Sequence, residues 1–496
     1  MVEVALNFPA ELYQVRCKVL AVLLFWLIPA LHAADSGPVD CTRVLSWLAG
    51  GVSNRKLMAV TRDRGVEPGL TPEVESELGS MHASASLINE LRRPQPVRRN
   101  ACPASLVEAA AAVRQADYDQ ASQLTEALIE GDPRNSALHF LLGYIRQMQG
   151  DWDGAFDEYT SSKEADPGFV EVHNRLALVF YQADDGDNAI GEARTALSMD
   201  FEDAEAYRML GLGHYSNQQY AAALNAFQES IVRDPNEDDV YYEMGLVLRD
   251  QGSSREAIES FRKALELNPR RWQAHSGLAG VLSKDKRFHQ AIAELILARQ
   301  LAPNEPRIQE DLARTYYSAG AYDSAIAEYG ELFQKHPGWN GGHEGLARAF
   351  LAKGESGRAI AELRVAVEQE PANAAQHLAL GQLLLASDQQ QESMRELRIA
   401  VELDPDSASS HYSLGTALLE LEQLPSALKE FQDAVRLDPS AEHHFALAAC
   451  LMNMGRDKEA LAEMETASRL DPEKRLYTSR KAELEQLMRS SGLVSH

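Results

Sequence analysis

The sequence predicts an all-α protein, a solenoid of eleven stacked helix pairs, and three observations carry that reading. Prolines stand at 133, 167, 235, 269, 303, 337, 371, 405 and 439, on a 34-residue grid whose one vacant point is Phe201. A period of this length marks a two-helix unit that buries its apolar face only by stacking on copies of itself. With each proline counted as position 32, position 8 is Gly or Ala in all eleven copies, from Ala109 and Gly143 to Gly415 and Ala448, and position 20 is Ala except at Ser393. Small residues at these places let two helices approach closely. Position 7 fills the seam between them: it is Leu except at Glu108 in the first copy and Met244 in the fifth. Each proline ends a helix by removing a donor and pushing the residue before it out of the helical region.

Ahead of the array, residues 1–34 read as an export signal. Arg16 and Lys18 precede the apolar run Val19 to Leu31, and Ala33 and Ala34 follow it, which is the basic, apolar, small order of a secretory signal. The run contains Pro29 and falls short of the roughly 20 residues a spanning helix needs, so cleavage is expected, with a retained inner-membrane anchor as the alternative. The expected location is periplasmic or secreted, outside a bacterial cytoplasm, and membrane contact is expected only through an uncleaved N-terminal segment.

Residues 35–93 form a small helical domain. Val44, Leu45 and Leu48, then Leu57 and Val60, then Val74, Leu78, Leu87, Ile88 and Leu91 recur at helical spacing, and Thr71 and Pro72 mark the start of the third helix. About 50 residues make a marginal core, which gains from a staple or from docking on the first repeat. In an oxidising compartment Cys41 and Cys102, which bracket this segment, are expected to pair, while Cys450 sits among the apolar residues of a repeat helix as a free buried thiol. Residues 94–101, the end of the string RRPQPVRR and its sequel, form an extended basic linker. The array occupies 102–474, a capping helix with Leu476, Leu484 and Leu487 on one side occupies 475–489, and 490–496 is a tail.

The net charge is −26, and residues 1–101 are close to balanced, so the acidity belongs to the array. Such a surface repels phosphate backbones, and a nucleic-acid partner is not expected.

The array resembles the tetratricopeptide repeat family, whose signature W-x2-L-G-x2-Y, A-x3-F and P is approached by Tyr207, Leu210, Gly211, Ala223, Phe227 and Pro235, and again by Tyr241, Met244, Gly245, Ala257, Phe261 and Pro269. The resemblance covers residues 102 to 474 and implies a right-handed solenoid whose concave groove holds a protein or peptide. Positions 2, 5, 9, 12 and 13 fall opposite the packing seam, and by the resemblance they line that groove. In repeats two to five they and their neighbours supply Phe140, Tyr144, Asn174, Tyr181, Arg208, Tyr215, Tyr242 and Arg249; in repeats seven and eight they supply Arg314, Tyr317 and Arg348. Tyr and Arg are common interface anchors, since each combines broad contact area with a directional polar end. The Lys/Asn set of the family's carboxylate-clamp members is missing, so acidic C-terminal peptides are not the expected ligand.

Candidate chemistry is sparse. Seven histidines share position 4, namely His139, His173, His275, His343, His377, His411 and His444. That position borders the seam, and copies on neighbouring repeats stand too far apart for one ion, so the row is read as packing and no metal is expected. His343 and Glu344 open like a zincin motif, but residue 347 is alanine. No nucleophile elbow, phosphate loop or Cys/His signature occurs, and no cofactor is expected. An enzyme site within 41–101 would rest on His82 alone. The expected function is a non-catalytic protein–protein interaction scaffold; the alternative is a substrate-presenting accessory subunit of an envelope or glycan-assembly enzyme complex.

Overall fold

The computed structural model describes residues 39–64, 72–92 and 102–490. The expected signal (1–34) and linker (94–101), with residues 491 to 496, lie outside the described residues. The described chain is helical, and its helices form two units that part between Asn268 and Pro269, repeats one to five in the first and six to eleven in the second.

Each repeat is a pair of helices packed on one another, and within each unit successive pairs stack, as Ser136–Gln149 packs on Trp152–Ala165 and that helix on Val170–Gln182. Local chemistry places the breaks. Asn135, Asp203, Asn373, Ser407 and Ser440 cap first helices by accepting from N–H groups of the opening turn. Between the two helices of every repeat one residue at position 15 takes a left-handed conformation, glycine in five repeats and Ala116, Asp184, Gln218, Lys286, Asp388 or Glu422 in the others. Position 8 then sets the helix separation. A Cβ on Gly211 would come within 2.5 Å of the Phe227 ring, and one on Gly143 within 2.7 Å of Tyr159, so glycine there makes room for an aromatic at position 24.

Among the described residues the small N-terminal unit is four short helices, Cys41–Ala49, Asn54–Arg64, Pro72–Ser80 and Ala85–Leu91. It shares one core with repeats one to three: Val44, Leu45, Trp47, Leu57, Val74, Leu78 and Leu87 are buried together with Leu106, Phe140, Leu141 and Phe169. Cys41 and Cys102 are joined through their sulfurs, with Cα atoms 5.7 Å apart, and Cys450 is free and buried. At the other end Arg475–Ser490 packs on Asp457–Leu470, but not through the face the sequence suggests. Tyr477, Leu484 and Met488 are buried, whereas Leu476 and Leu487 are exposed, because the aromatic ring of Tyr477 lies against Phe445 and turns its neighbours outward.

Repeat eight departs from the rest. Its first helix, His343–Ala352, begins at position 4, where those of repeats two to seven and nine to eleven begin at position 1. The residues it forgoes belong to the string Pro337-Gly-Trp-Asn-Gly-Gly, in which Gly342 has φ of +97°, a conformation that favours glycine.

Candidate functional site

In the first unit the face made by the first helices of repeats two to four already has an occupant. Trp47 stacks on Phe169 with ring centroids 4.5 Å apart, and Phe140 meets Phe169 edge-on at 5.2 Å. Phe140 is therefore closed to any partner, which corrects its expected role as a groove anchor: it forms the floor on which the N-terminal helices sit. Gly50 fits there for want of a side chain, since its Cβ would meet the Phe140 ring at 2.7 Å. Its carbonyl accepts from Arg175 Nη2 at 3.4 Å, and the same guanidinium lies 5.6 Å from the centre of the Tyr144 ring.

Ionic contacts extend the docking. Lys56 Nζ lies 2.6 Å from Glu171 and 3.1 Å from Asp203. Burial opposes the charge on Lys56, but Glu171, Asp203 and Glu205 overcome it and raise its pKa. Asp203 also accepts from Asn174 Nδ2 at 2.7 Å, so Asn174 is buried and engaged, a second correction to the expected anchor set. Arg208 is the third. It donates to both oxygens of Glu205, at 2.9 and 3.0 Å, and to Glu243, so its guanidinium is committed within the array. Burial alone would raise the Glu205 carboxyl, but Arg208, Lys56 and Arg175 hold it at about 2. Glu243 goes the other way: burial pushes it up to about 8 despite Arg208. Beside Lys56 a cavity of about 380 Å³ remains, walled largely by acidic side chains.

Tyr181, Tyr215 and Tyr242 are half-buried further along the same unit. Tyr215 donates to Asp250 at 2.5 Å, Arg249 donates to the same carboxylate at 2.7 Å, and Tyr242 packs on Phe261. Burial pushes the Tyr181 hydroxyl to about 12, so it stays a donor at neutral pH.

In the second unit, Arg314, Tyr317 and Arg348 come together on one cavity of about 320 Å³. The late start of repeat eight helps to shape it, since Gly341 and Gly342 line it in place of a helical turn with side chains, and Gly345 lines it from the first turn of the helix. Tyr329 projects over this gap, and a Cβ on Gly345 would meet its hydroxyl at 2.1 Å. Trp339 Nε1 donates to Glu310 at 3.1 Å and holds that carboxylate on the wall. Arg314 pairs with Asp311 and Arg348 with Glu344, and each arginine side chain is 63% exposed, which puts both at the mouth. Gln376 stands deeper, 8% exposed, donating from Nε2 to Glu370 at 3.0 Å.

The histidine row is more than packing. Every member turns Nδ1 to a glutamate 19 residues on, from His139 to Glu158 at 2.6 Å through His444 to Glu463 at 2.6 Å. In five repeats Nε2 also faces the carbonyl of the helix-ending proline, as His275 faces Pro269 at 3.2 Å. A ring between two acceptors satisfies both only when both nitrogens carry protons. The hydrogen bond to glutamate accordingly raises the pKa of His139 and His275, burial opposing it. The signal was present in the sequence: glutamate recurs at position 23 wherever position 4 is histidine, and the repeats with Tyr207 and Tyr241 at position 4 carry Ala226 and Ser260 at position 23 instead. Among the described residues one trio, His411, Glu430 and Asp433, brings potential metal-ligand atoms within 4.8 Å of one another. His411 already spends Nδ1 on Glu430 and Nε2 on the Pro405 carbonyl, so the trio belongs to this clamp.

A family model described as the tetratricopeptide repeat matches residues 106–168, 174–238, 242–306, 344–408 and 412–474. Among solved structures the chain is similar to yeast Tom70, at 15% identity over 77% of this chain and 95% of that one, with a TM-score of 0.38. It is also similar to the Pseudomonas aeruginosa pilF protein, at 24% identity over 41% of this chain and 93% of that one, with a TM-score of 0.35. A thermophilic repeat protein of Thermus thermophilus is 22% identical over 37% of this chain and 100% of its own, with a TM-score of 0.29. No curated protein matches. No helix among the described residues is long and apolar enough to cross a membrane.

Proposed function

This chain belongs to the tetratricopeptide repeat family, and on that premise we propose that it is a non-catalytic scaffold whose first-helix faces hold a segment of another protein. The observation that carries the reading is the docked N-terminal unit. Trp47 on an aromatic floor and Lys56 on two carboxylates are the apolar and polar halves of an interface hot spot, and this face holds them within one chain. The stretch of Tyr181, Tyr215, Tyr242 and Arg249 in the first unit, and that of Arg314, Tyr317 and Arg348 in the second, are the surfaces proposed for a partner. The basic, apolar, small order of residues 16–34 supports export, so the partner is sought in the bacterial envelope or outside the cell.

Crosslinking mass spectrometry on the native host envelope tests the proposal. Crosslinks from a protein partner to the first helices of either unit are expected. Crosslinks confined to second-helix faces, or a cytosolic protein retaining Met1, would overturn the respective parts of the reading. Copurification with a polymer-synthesising enzyme would recast the scaffold as a substrate-presenting subunit of that complex.

A further inference from the structure

We propose that the cavity of repeats seven to nine takes a lysine or arginine side chain of the partner, its cationic head set against Gln376, Glu370 and Glu344. The inference rests on the scaffold reading and names the chemistry the second unit selects. Gln376 lines the cavity and is 8% exposed; its Nε2 is used on Glu370, while its Oε1 accepts no hydrogen bond. The amide orientation follows from its neighbour, because a carboxylate needs a donor and only the NH₂ end supplies one. An acceptor left open in a buried place costs stability unless a donor arrives to fill it. Three carboxylates share the wall with it, Glu310, Glu344 and Glu370. The two cations there, Arg314 and Arg348, are each paired on their own helix and reach solvent at the mouth, so the interior offers acceptors. Tyr317 and Tyr329 give an aliphatic stem two aromatic walls.

A second observation comes from the first unit. There the chain itself lays a lysine across the same kind of face, with Lys56 Nζ between Glu171 and Asp203. Asp203 closes repeat three as Asn373 closes repeat eight, both at position 34, and Asn373 lines the second cavity. The protein thus carries one filled example of a basic side chain on this face and one open cavity of matching acceptor character.

The test uses the full chain and four labelled nonapeptides that differ only in a central Lys, Arg, Gln or Glu within an uncharged host, read by fluorescence anisotropy. The Lys or Arg peptide should bind about tenfold more tightly than the Gln peptide. Gln376→Leu and Glu344→Gln should each remove most of that preference. Glu344 is half-exposed, so its variant keeps the fold even if Gln376→Leu loosens repeat nine. Val232→Ala, at an exposed position on a second helix of the first unit, should leave the preference unchanged. A preference for the Glu peptide that Arg314→Ala abolishes would replace the proposal with an anion site. A basic preference untouched by both cavity variants would be general attraction to an acidic surface, and equal binding of all four peptides would likewise overturn the proposal. Any of these results leaves the scaffold reading to the envelope crosslinks, which judge it separately.

Discussion

Replacing Trp47 by alanine isolates the docking of the N-terminal unit. The side chain is fully buried and stacked on Phe169, so the substitution removes an aromatic wedge without touching any helix pair of the array. A buried tryptophan covers about 200 Å², worth roughly 5 kcal/mol at about 25 cal/mol per Å². Allowing for surface already hidden in the unfolded chain brings this to roughly 3–4 kcal/mol. At about 1.4 kcal/mol per tenfold, hydrogen exchange over residues 41–64 should quicken by about two to three powers of ten. Repeats two and three should loosen next, since Phe140 and Phe169 lose their cover, while repeats six to eleven hold their protection as nearest-neighbour stacking requires. Trp47→Phe should keep most of the protection. Unchanged exchange in residues 41–64, or equal loss over all eleven repeats, would refute the view that this residue pins the unit to the first-helix face.

Three further outcomes follow from the geometry. The Cys41–Cys102 link closes a loop with a sequence separation of 61, which chain entropy values at roughly 4 kcal/mol, so mild reduction should lower protection of the N-terminal helices first; nonreducing peptide mapping that finds both thiols free would reject the link. The pKa values of His139 and His275 are raised on folding, so their clamps contribute fully below the unfolded histidine value of roughly 6.5 and lose that contribution as pH rises through the folded value. The thermal midpoint should therefore fall across that window, and His275→Gln should flatten the fall; a midpoint that rises with pH there would contradict the sign. Glu422 sits at φ of +56°, where a side chain costs roughly 1 kcal/mol, so Glu422→Gly should raise the denaturation midpoint of the C-terminal repeats, and a lower one would count against the turn geometry.

What was legible in the sequence is what volume dictates locally. The 34-residue grid, the small residues at positions 8 and 20 and the leucines between them describe contacts within one repeat and the next, and such contacts recur within each unit of the fold. What escaped was set by residues far apart in the chain. Helical wheels place Phe140 and Asn174 opposite the seam, and they are there, but a wheel cannot say that Trp47 and Lys56 will cover them. Lys56 meets Glu171 across 115 positions, and nothing periodic announces such a pair. Arg208 failed as an anchor for a related reason, since its partners Glu205 and Glu243 lie on its own helix and the next first helix, where they satisfy it before any ligand arrives.

The repeats that depart from the pattern are therefore the informative ones. Within a regular repeat the sequence compensates its own changes: glycine at position 8 accompanies a large residue at position 24, Tyr159, Phe227, Phe261 or Phe431 in four repeats and Leu397 in repeat nine, and a glutamate at position 23 accompanies each position 4 histidine. Such paired changes keep neighbouring helices at one separation and leave little to read about a ligand. Repeat seven breaks the first rule, with Ala313 facing Tyr329, and repeat eight breaks the register, with Gly341 and Gly342 where a helical turn belongs. The two departures meet, because the Tyr329 ring reaches over Gly342 and Gly345. Stacking alone has no use for a lost helical turn, which removes capped hydrogen bonds and adds two glycines with their conformational entropy. A cavity has a use for it, and the one that results collects Arg314, Tyr317 and Arg348 with the open acceptor of Gln376. That coincidence is the physical ground for looking for the second unit's partner there.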